Sequence, residues 1–512
     1  MAVARTRSVA LVGVTGRTVE VEADVGNGLS GIHLIGLPDT ALSEARDRVR
    51  SAVVNSTYPW PDARIIVSLF PASLPKRGSQ FDLAIAVAIL GAAGVVPVER
   101  IAEPFFLGEL GLDGRIRPVR GVLPSILSAA KAGDVTIVVP AGNAAEATLV
   151  PDVKVVPIAH LRELVEWLRR GDDPPEPQVE ESVDHTPTSI IAPAVDLADV
   201  VGQPVARRAL EVCAAGGHNL WMLGPPGTGK TLLAERLPTL LPDLDLDHAL
   251  EVTAIHSVAG VLSPNAAMMS RPPFVSPHHT ATSAAIIGGG STIVRPGAVS
   301  LAHRGLLFMD EAPEFPRHVL DALRQPLESG RVTVSRSAGS VTFPARFMLV
   351  LAANPCPCAQ AQDQGESCQC SPTVRRRYLG RLSGPLLDRV DMKVTVVRAS
   401  RRELMADRQF VETSKTVAER VLVARERAAK RLAGTPWRTN AEIPSSLLHA
   451  DYRPSTVAMK PVTACLDSGA LSARGLDRVV RVAWTLADLA GKDRPEAEET
   501  TAALHFWLGA KS

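Results

Sequence analysis

The stretch Leu220-Trp221-Met222-Leu223-Gly224-Pro225-Pro226-Gly227-Thr228-Gly229-Lys230-Thr231 decides the fold of this chain. An apolar run comes before the glycine-rich octet 224–231, and a helical pattern, 232–237, comes after it. A strand, a glycine-rich loop and a helix in this order form a P-loop, whose backbone N–H groups face phosphate oxygens. The sequence therefore predicts an α/β domain that binds ATP, with Lys230 reaching the outer phosphates and Thr231 reaching Mg²⁺.

The composition indicates a soluble protein with more than one domain. Hydrophobic residues make up 46% of the chain, charged residues make up 21%, and the formal net charge is +1. A chain of 512 residues is too long for one core, and its length suggests about three domains. The near-zero charge argues neither for nor against a nucleic-acid partner.

Targeting patterns and cysteine usage favour the cytoplasm. No cleavage pattern follows the short apolar run near the N-terminus, so we expect no signal peptide. The longest apolar stretch, 83–98, is shorter than the roughly 20 residues of a membrane span, and we expect a buried helix and turn there instead of a membrane contact. Four of the six cysteines lie in one short stretch, unlike the disulfide framework of a secreted protein.

The chain divides into four regions by pattern. Strand-like runs alternate with helical runs up to residue 170, a proline-rich linker with few large apolar residues covers 171–193, the P-loop domain covers 194–397, and a helical region covers 398–512. In the first region we expect strands at 8–12, 64–69 and 135–139 and helices at 42–54, 82–92 and 122–132. The clearest helix of the last region is 474–489, whose apolar residues share one face.

A second motif fits the catalytic side of a P-loop ATPase. The apolar strand 306–309 ends in Asp310 and Glu311, about 80 residues after the P-loop, as a Walker B segment does. Asp310 would hold the Mg²⁺ shell, and Glu311 would polarise the attacking water as a general base. The alternative is a solvated acidic loop.

Two further positions resemble the AAA+ class of P-loop ATPases. The apolar run 347–353 ends at Asn354, which resembles the sensor 1 residue that orients the lytic water. Arg389, in Gly384-Pro385-Leu386-Leu387-Asp388-Arg389-Val390-Asp391, stands where AAA+ proteins carry an arginine finger. Such a finger completes the site of a neighbouring subunit, so the resemblance implies a ring, with six subunits expected; the alternative is a salt-bridged surface arginine.

The C-terminal helix carries a third resemblance to the same class. Arg474, at the start of that helix, resembles the sensor 2 arginine by which a helical lid senses the γ-phosphate. Arg478 and Arg481 are competitors for this role because they lie on the same helix. We therefore expect a C-terminal helical lid that takes part in the ATPase site.

Longer strings make the resemblance specific. The chain is similar to the YifB/ComM family of magnesium-chelatase-like AAA+ ATPases in Ala214-Ala215-Gly216-Gly217-His218-Asn219-Leu220, Ser276-Pro277-His278-His279-Thr280 and Pro296-Gly297-Ala298-Val299-Ser300-Leu301-Ala302-His303. In the first region, Leu74-Pro75-Lys76-Arg77-Gly78-Ser79-Gln80-Phe81-Asp82-Leu83 resembles the Lon-protease-like N-terminal domain of that family. The Lon nucleophile position falls on Gln80, and because an amide cannot be that nucleophile, we interpret the domain as structural or DNA-contacting.

The family resemblance implies a hexameric, ATP-driven motor on single-stranded or branched DNA, a helicase or branch-migration enzyme of recombination or transformation. Arg295, Arg331 and Arg336 lie in segments that AAA+ motors commonly insert into the pore, where they could grip phosphates. The alternative for these segments is a hairpin with solvated arginines. Two other functions stay open, a chelatase-type ATPase and a protein-remodelling ATPase, neither of which has DNA as its substrate.

A cysteine cluster follows Asn354 directly. Cys356, Cys358, Cys368 and Cys370 place four thiols on the loop 356–370, and four thiolates suit a structural, tetrahedral Zn²⁺. The alternative is a set of free or redox-active thiols. A basic stretch with one aromatic side chain comes next, with either a nucleic acid or a neighbouring subunit as its expected partner: Arg375, Arg376, Arg377, Tyr378 and Arg381.

Overall fold

A computed structural model gives the arrangement of most of the chain. It describes residues 3–36, 44–76, 78–133, 135–171, 195–262, 268–290, 294–336, 339–358, 368 and 370–511. Nearly all of the predicted linker, residues 172–193, and Arg77 of the Lon-like motif lie outside the described residues.

The N-terminal region is built on a seven-stranded mixed sheet in the order β3-β4-β2-β1-β5-β8-β9. Its strands and those of a small added ribbon are β1 Val3–Val12, β2 Thr15–Gly26, β3 Gly31–Ile35, β4 Arg64–Phe70, β5 Phe105–Phe106, β6 Glu109–Leu110, β7 Ile116–Arg117, β8 Thr136–Pro140 and β9 Lys154–Ile158. Its helices are α1 Ala45–Asn55, α2 Asp82–Ala92, α3 Val122–Ala129, α4 Ala144–Ala147 and α5 Leu161–Arg170.

Helix α2 explains the longest apolar stretch of the sequence. Its residues 82–91 are all buried, and it packs against β1 and β2. Asp82 is the buried carboxylate at its start, and Arg48 donates to it from Nε at 2.8 Å and from Nη2 at 3.1 Å. The prediction of a buried helix in this stretch is confirmed, and in the part of the chain that the structure describes no helix is long and apolar enough to cross a membrane.

The P-loop domain contains a parallel sheet, which confirms the predicted α/β class. The strand order is β11-β14-β17-β10-β18-β19, and the strand before the P-loop, β10, lies between β17 and β18. The strands are β10 Leu220–Leu223, β11 Phe274–Val275, β14 Leu306–Met309, β17 Met348–Ala353, β18 Met392–Thr395 and β19 Ala510–Lys511. Because all these strands run in one direction, loops that follow β10, β14 and β17 meet at the carboxyl edge of the sheet.

Helices and two ribbons surround this sheet. The helices are α6 Pro204–Gly216, α7 Lys230–Arg236, α8 Leu246–Ala259, α9 Ser283–Ile287, α10 Ala298–Leu301, α11 Arg317–Ala322, α12 Arg324–Ser329, α13 Pro372–Leu379 and α14 Gly384–Leu387. One antiparallel ribbon pairs β12 Gly288–Gly289 with β13 Arg295–Pro296, and a second pairs β15 Arg331–Arg336 with β16 Gly339–Pro344.

The C-terminal region is helical and packs beside the sheet, against α6 and β18. It contains α15 Arg401–Asp407, α16 Ser414–Arg431, α17 Ser445–Leu448, α18 Thr456–Asp467, α19 Ala473–Ala490 and α20 Ala497–Leu508. The helix expected at 474–489 is α19, whose apolar face joins one core with α6, β10 and β18 through residues such as Val479 and Ala483. After α20 the chain adds β19 to the sheet next to β18, with Val394 opposite Ala510.

The N-terminal region contacts the P-loop domain through α8. Leu250 and Ala254 of α8 join the apolar cluster around α3, and Ser257 of α8 hydrogen-bonds to the Glu146 carboxylate. The turn between β1 and β2 contacts the β15–β16 ribbon, since a Cβ at Gly13 would lie 2.9 Å from the Thr342 carbonyl oxygen. The first region therefore rests on the ribbon that carries two of the candidate DNA-binding arginines.

Candidate active site

The P-loop joins β10 to α7 and depends on glycine at specific positions. Gly227 and Gly229 have φ values of +74° and +89°, in the left-handed region that favours glycine. A Cβ at Gly224 would lie only 2.2 Å from the Val396 carbonyl oxygen of the neighbouring chain segment. The Thr228 hydroxyl donates to the Pro225 carbonyl at 2.9 Å and closes the turn. The loop therefore curls as a phosphate cradle requires.

Lys230 is held inside this loop. Its Nζ donates to the carbonyl oxygens of Gly224 at 2.7 Å and Pro225 at 2.8 Å, and to Asn354 Oδ1 at 3.1 Å. Burial lowers the pKa of Lys230, while the nearby charges of Asp310 and Glu311 oppose that shift. The ammonium group thus has exchangeable carbonyl partners that phosphate oxygens could replace.

Strand β14 delivers two carboxylates to the same edge. All four residues of β14 are buried, and Asp310 follows the strand directly. Its carboxylate accepts from the Thr231 hydroxyl at 2.7 Å and from the Glu311 N–H at 2.9 Å. Since Mg²⁺ prefers oxygen ligands, the adjoining oxygens of Thr231 and Asp310 fit the metal that the sequence predicts there.

Glu311 has an unusual backbone and an unexpected partner. Its φ of +50° places a non-glycine residue in the left-handed region, which is a strained conformation often associated with function. The carboxylate is half exposed, and its Oε2 lies 3.4 Å from His279 Nδ1. The sequence indicated His279 only as part of the family-specific segment 276–280 and gave it no role at the site. The pair of histidines upstream of the Walker B strand was the signal that could have pointed to it.

Asn354 completes the group at the carboxyl edge. It follows the fully buried strand β17 and is itself buried, with its side-chain oxygen on Lys230. Five predicted side chains thus come together around the P-loop: Lys230, Thr231, Asp310, Glu311 and Asn354.

The cysteine cluster begins two residues after Asn354. The Sγ atoms of Cys356 and Cys358 are 3.0 Å apart, and Cys368 Sγ lies 3.3 Å from Cys356 Sγ and 3.4 Å from Cys358 Sγ. All four thiol sulfurs, including that of Cys370, lie within 4.8 Å of one another. Sulfurs bound to one tetrahedral Zn²⁺ are about 3.8 Å apart, so the donor set fits this ion. Residues 359–367 and 369 of the loop lie outside the described residues.

The basic stretch after the cluster contacts the cysteine loop at one end and the segment that follows Glu311 at the other. Arg375 donates from Nη2 to the Cys368 carbonyl oxygen at 3.2 Å. Arg381 donates to the Pro313 carbonyl oxygen at 3.0 Å and pairs with Glu314 at 3.3 Å. Burial and Glu314 raise the pKa of Tyr378, which is buried on the same helix. Helix α13 therefore connects the cysteine cluster with the segment that follows Glu311.

Arg389 lies at the other edge of the sheet. Its backbone carbonyl accepts from Asn219 Nδ2 at 2.9 Å, and Asn219 precedes β10, whereas the P-loop follows that strand. Four strand residues span about 13 Å, so the Arg389 side chain is not brought to the P-loop of its own chain. Its guanidinium pairs with Glu328 at 2.6 Å and donates to the Pro385 carbonyl at 2.5 Å.

Arg474 also lies at the amino edge, and this corrects the sensor 2 expectation for a single subunit. Its Nη1 is 3.5 Å from Asp388, next to Arg389. Arg478 pairs with Asp391 at 2.9 Å, and Arg481 donates to the Ile443 carbonyl oxygen at 2.9 Å. None of the three arginines contacts the P-loop of its own chain in the structure described, because α19 packs beside the opposite ends of β10 and β18.

The three candidate DNA-binding arginines are exposed on the two ribbons. Arg295 on β13 pairs with Gly289 on β12, and a Cβ at Gly289 would lie 3.4 Å from Arg336 Nη2. Arg295 and Arg336 therefore share one corner. Arg331 lies at the other end of β15, about 17 Å away along the strand. The intervening tips, 291–293 and 337–338, lie outside the described residues.

In the Lon-like motif, the side chains of Lys76, Ser79 and Gln80 each bond to a partner outside the motif and not to one another. Gln80 Nε2 donates to the Val9 carbonyl oxygen at 2.9 Å, and Ser79 Oγ bonds to the Glu109 carboxylate. Lys76 is buried, and its Nζ bonds to the Pro71 carbonyl oxygen. Ser79 and Lys76 thus have other partners than each other, unlike the serine and lysine pair of a Lon-type peptidase.

Comparisons with known proteins match the N-terminal region, the P-loop domain and the C-terminal region. A family model described as subunit ChlI of Mg-chelatase matches residues 21–143. A second, described as magnesium chelatase, subunit ChlI, matches residues 196–404. A third, for the C-terminal part of that subunit, matches residues 411–507. The chain is 52% identical to an uncharacterized protein of Mycobacterium tuberculosis over 99% of both chains. It is 41% identical to competence protein ComM of Haemophilus influenzae, over 96% of this chain and 95% of that one. It is 40% identical to uncharacterized protein YifB of Escherichia coli, over 94% and 93%.

Proposed function

This chain belongs to the YifB/ComM family of magnesium-chelatase-like proteins, and from that membership we propose that it is a Mg²⁺-dependent AAA+ ATPase that forms a ring and acts on DNA. The observation that carries the ATPase proposal is the meeting of Lys230, Thr231, Asp310 and Asn354 through hydrogen bonds of 2.7–3.1 Å at one sheet edge. These residues come from three neighbouring strands, so the site depends on the fold and not on one motif alone.

In the proposed reaction each of these side chains has a distinct task. Lys230 would exchange its carbonyl partners for the outer phosphates of ATP, and Thr231 with Asp310 would hold Mg²⁺, which neutralises phosphate charge when bound. The Glu311 carboxylate would accept a proton from the attacking water, and Asn354 would orient that water. The contact with His279 would fix the direction of the Glu311 carboxylate.

We infer the ring from the two arginines at the amino edge. Arg389 and Arg474 are neighbours, because Arg474 pairs with Asp388, the residue directly before Arg389. Both lie at the edge of the sheet opposite to the P-loop of their own chain. An arginine in this position can stabilise phosphate charge only at the site of a neighbouring subunit. Both arginines would therefore act in trans, and a closed ring, with six subunits as the family resemblance implies, would complete every site.

The DNA proposal has two supports. One relative, over nearly its whole length, is a competence protein by name, and competence concerns the uptake of DNA. In this chain, Arg295 and Arg336 form an exposed cationic corner on two ribbons, and paired arginines of this kind bind phosphates in a sequence-independent way. We propose that this corner contacts single-stranded or branched DNA in the ring, and that the motor moves or remodels it.

The test is ATP hydrolysis by the purified chain with and without single-stranded and forked DNA. We expect DNA to raise turnover several-fold, Glu311→Gln to abolish turnover, and Arg336→Ala to retain basal turnover but lose stimulation. Arg317→Ala is the matched control, since Arg317 is an exposed arginine on α11 whose partner is Asp321. Turnover that requires Glu311 but ignores every DNA would favour a chelatase-type or protein-remodelling ATPase, which the chelatase family models would then explain.

We also propose that Cys356, Cys358, Cys368 and Cys370 hold a structural Zn²⁺. The thiol distances support it, and its bound form would join the end of β17, which carries Asn354, to helix α13. The described cysteines form no disulfide, and reduced cysteines of this kind, whether metal-bound or free, suit a reducing compartment, so we propose a cytoplasmic location.

We propose a domain division at 1–170, 194–397 and 398–512, with a Lon-like fold in the first domain and a displaced helical lid in the last. The bonds of Ser79 and Gln80 support a structural or DNA-contacting role for the first domain instead of peptidase activity.

A further inference from the structure

A groove lies at the amino edge of the P-loop domain's sheet, opposite to the candidate active site. Its volume is about 660 Å³, and it is bounded by the residues that begin or precede four parallel strands, including Asn219 before β10 and Asp391 before β18. The lid forms its other wall with the segment 437–444 and helices α16 and α19. Small-molecule sites typically have volumes of about 300–1,000 Å³, so the groove has room for a nucleotide.

The groove is lined by guanidinium groups. Six arginines contribute to it, from the sheet edge and from the lid: Arg304, Arg346, Arg425, Arg438, Arg478 and Arg481. Four of them have carboxylate partners: Arg478 with Asp391, Arg346 with Glu442, Arg438 with Asp245, and Arg304 with Glu251.

Arg425 and Arg481 differ from the other four. Each donates from Nε to a backbone carbonyl, of Ala214 at 2.8 Å and of Ile443 at 2.9 Å. Within the described residues, the Nη atoms of both side chains have no hydrogen-bond partner, although both side chains line the groove. The groove therefore presents up to four unpaired Nη atoms, which carry eight cationic N–H groups.

The carboxylates of the groove act on these two charges only through space. Against desolvation, which lowers both pKa values, the charge of Glu442 raises the pKa of Arg425 and that of Asp391 raises the pKa of Arg481, but among the described residues no carboxylate is hydrogen-bonded to either guanidinium. Asp391 is already bonded to Arg478 and to the Asn219 N–H, and Glu328 is paired with Arg389. Glu442 accepts from the Arg438 and Thr439 N–H groups. Desolvation lowers the pKa of Arg425 to about 10, with Glu442 opposing, so the guanidinium remains charged at neutral pH. Both guanidiniums are partly buried and lack an ion-pair partner among the described residues, and an anion in the groove would offset the cost of their desolvation.

Aromatic surface lies beside these cations. Trp437 and Phe347 line the groove and are partly buried, so each keeps a face or edge open to it. Guanidinium forks bind phosphate oxygens in pairs, and an indole ring offers a stacking surface to a base. We propose that the groove is a second anion site, separate from the P-loop, that binds a phosphate-bearing small molecule of nucleotide size.

The proposal is tested with the full chain carrying Lys230→Ala, in Mg²⁺-free buffer, so that the P-loop contributes least. Labelled ATP and inorganic tripolyphosphate are the two probes in equilibrium dialysis. We expect one equivalent of probe per chain, and at least tenfold weaker binding when Arg425→Met is added. Trp437→Ala distinguishes a nucleotide from an inorganic phosphate chain as the ligand. If a base stacks on Trp437, this variant weakens the binding of ATP but not of tripolyphosphate. If the phosphates alone are recognised, it weakens the binding of neither probe.

Arg427→Met is the matched control. Arg427 lies two residues further along α16, and its Nη1 donates to the Asp488 carbonyl oxygen away from the groove. Thermal melting checks each variant, and Arg481→Met replaces Arg425→Met if the latter unfolds. Absence of binding in the Lys230→Ala chain, equal binding by the arginine variants, or equal competition by sulfate would overturn the proposal.

Discussion

Arg389 gives the sharpest test of the ring, because its removal should inactivate an enzyme that stays folded. The pair with Glu328 has side chains exposed to 12% and 69%, and a pair that is open to water on one side contributes about 1 kcal/mol or less to stability. An arginine finger contributes about 10³-fold or more to turnover, which is about 4 kcal/mol of transition-state stabilisation. Arg389→Ala should therefore lose activity far beyond any loss of fold.

A mixing assay then separates action in trans from action in cis. Lys230→Ala lacks the P-loop lysine, and Arg389→Ala lacks the finger, so each variant alone should be inactive. In rings assembled from equal amounts, about a quarter of the sites combine an intact P-loop with an intact neighbouring Arg389, so about a quarter of wild-type turnover should return. Glu328→Ala, which frees Arg389, is the control and should remain active. Mixed rings that form but recover no activity would refute the placement of Arg389 in a neighbouring site.

Three further outcomes follow from the geometry. Metal analysis should find about one zinc per chain, lost in Cys368→Ser and kept in Cys465→Ser; zinc-free wild-type protein would contradict the site. His279→Ala should lower kcat for ATP about tenfold with little change in KM, since it leaves Glu311 in place but unoriented; unchanged kcat would remove His279 from the site. Burial raises the pKa of Asp82 to about 6, so its contribution to stability is complete below pH 4 and falls by about 3 kcal/mol as pH rises through 6. Denaturation of wild type and Asp82→Asn across this range should differ in slope, and parallel curves would contradict it.

The sequence predicted those parts of the site that are encoded by short consecutive stretches. The P-loop, Asp310 with Glu311, and Asn354 each follow an apolar run, and the ends of parallel strands meet at one edge, so their meeting place could be expected. The N-terminal helix at 82–92 could also be predicted from a consecutive stretch, because a continuous apolar run of this length must be buried inside the domain.

What sequence could not predict depends on packing between distant residues. Arg474 lies beside Asp388, 86 residues earlier in the chain, because α19 packs against α6 and β18. No local pattern encodes on which side of the sheet that contact forms. Strand β2 was missed because its exposed face carries charged and polar residues such as Glu20 and Glu22, which weaken the apolar signal. The contact of His279 with Glu311 likewise joins a loop to a strand end.

The pairing of β19 with β18 has a consequence during synthesis. Ala510 leaves the ribosome about 115 residues after Thr395, which at about 5–20 residues per second is a delay of roughly 6 to 23 seconds. Throughout that interval the outer edge of β18 has no partner strand, and an open edge can pair with a second nascent chain. Neighbouring ribosomes on one messenger RNA would bring such open edges close together. Chaperones that bind nascent chains, or a wider spacing between ribosomes, should therefore matter more for this protein than for one whose edge strand is made early.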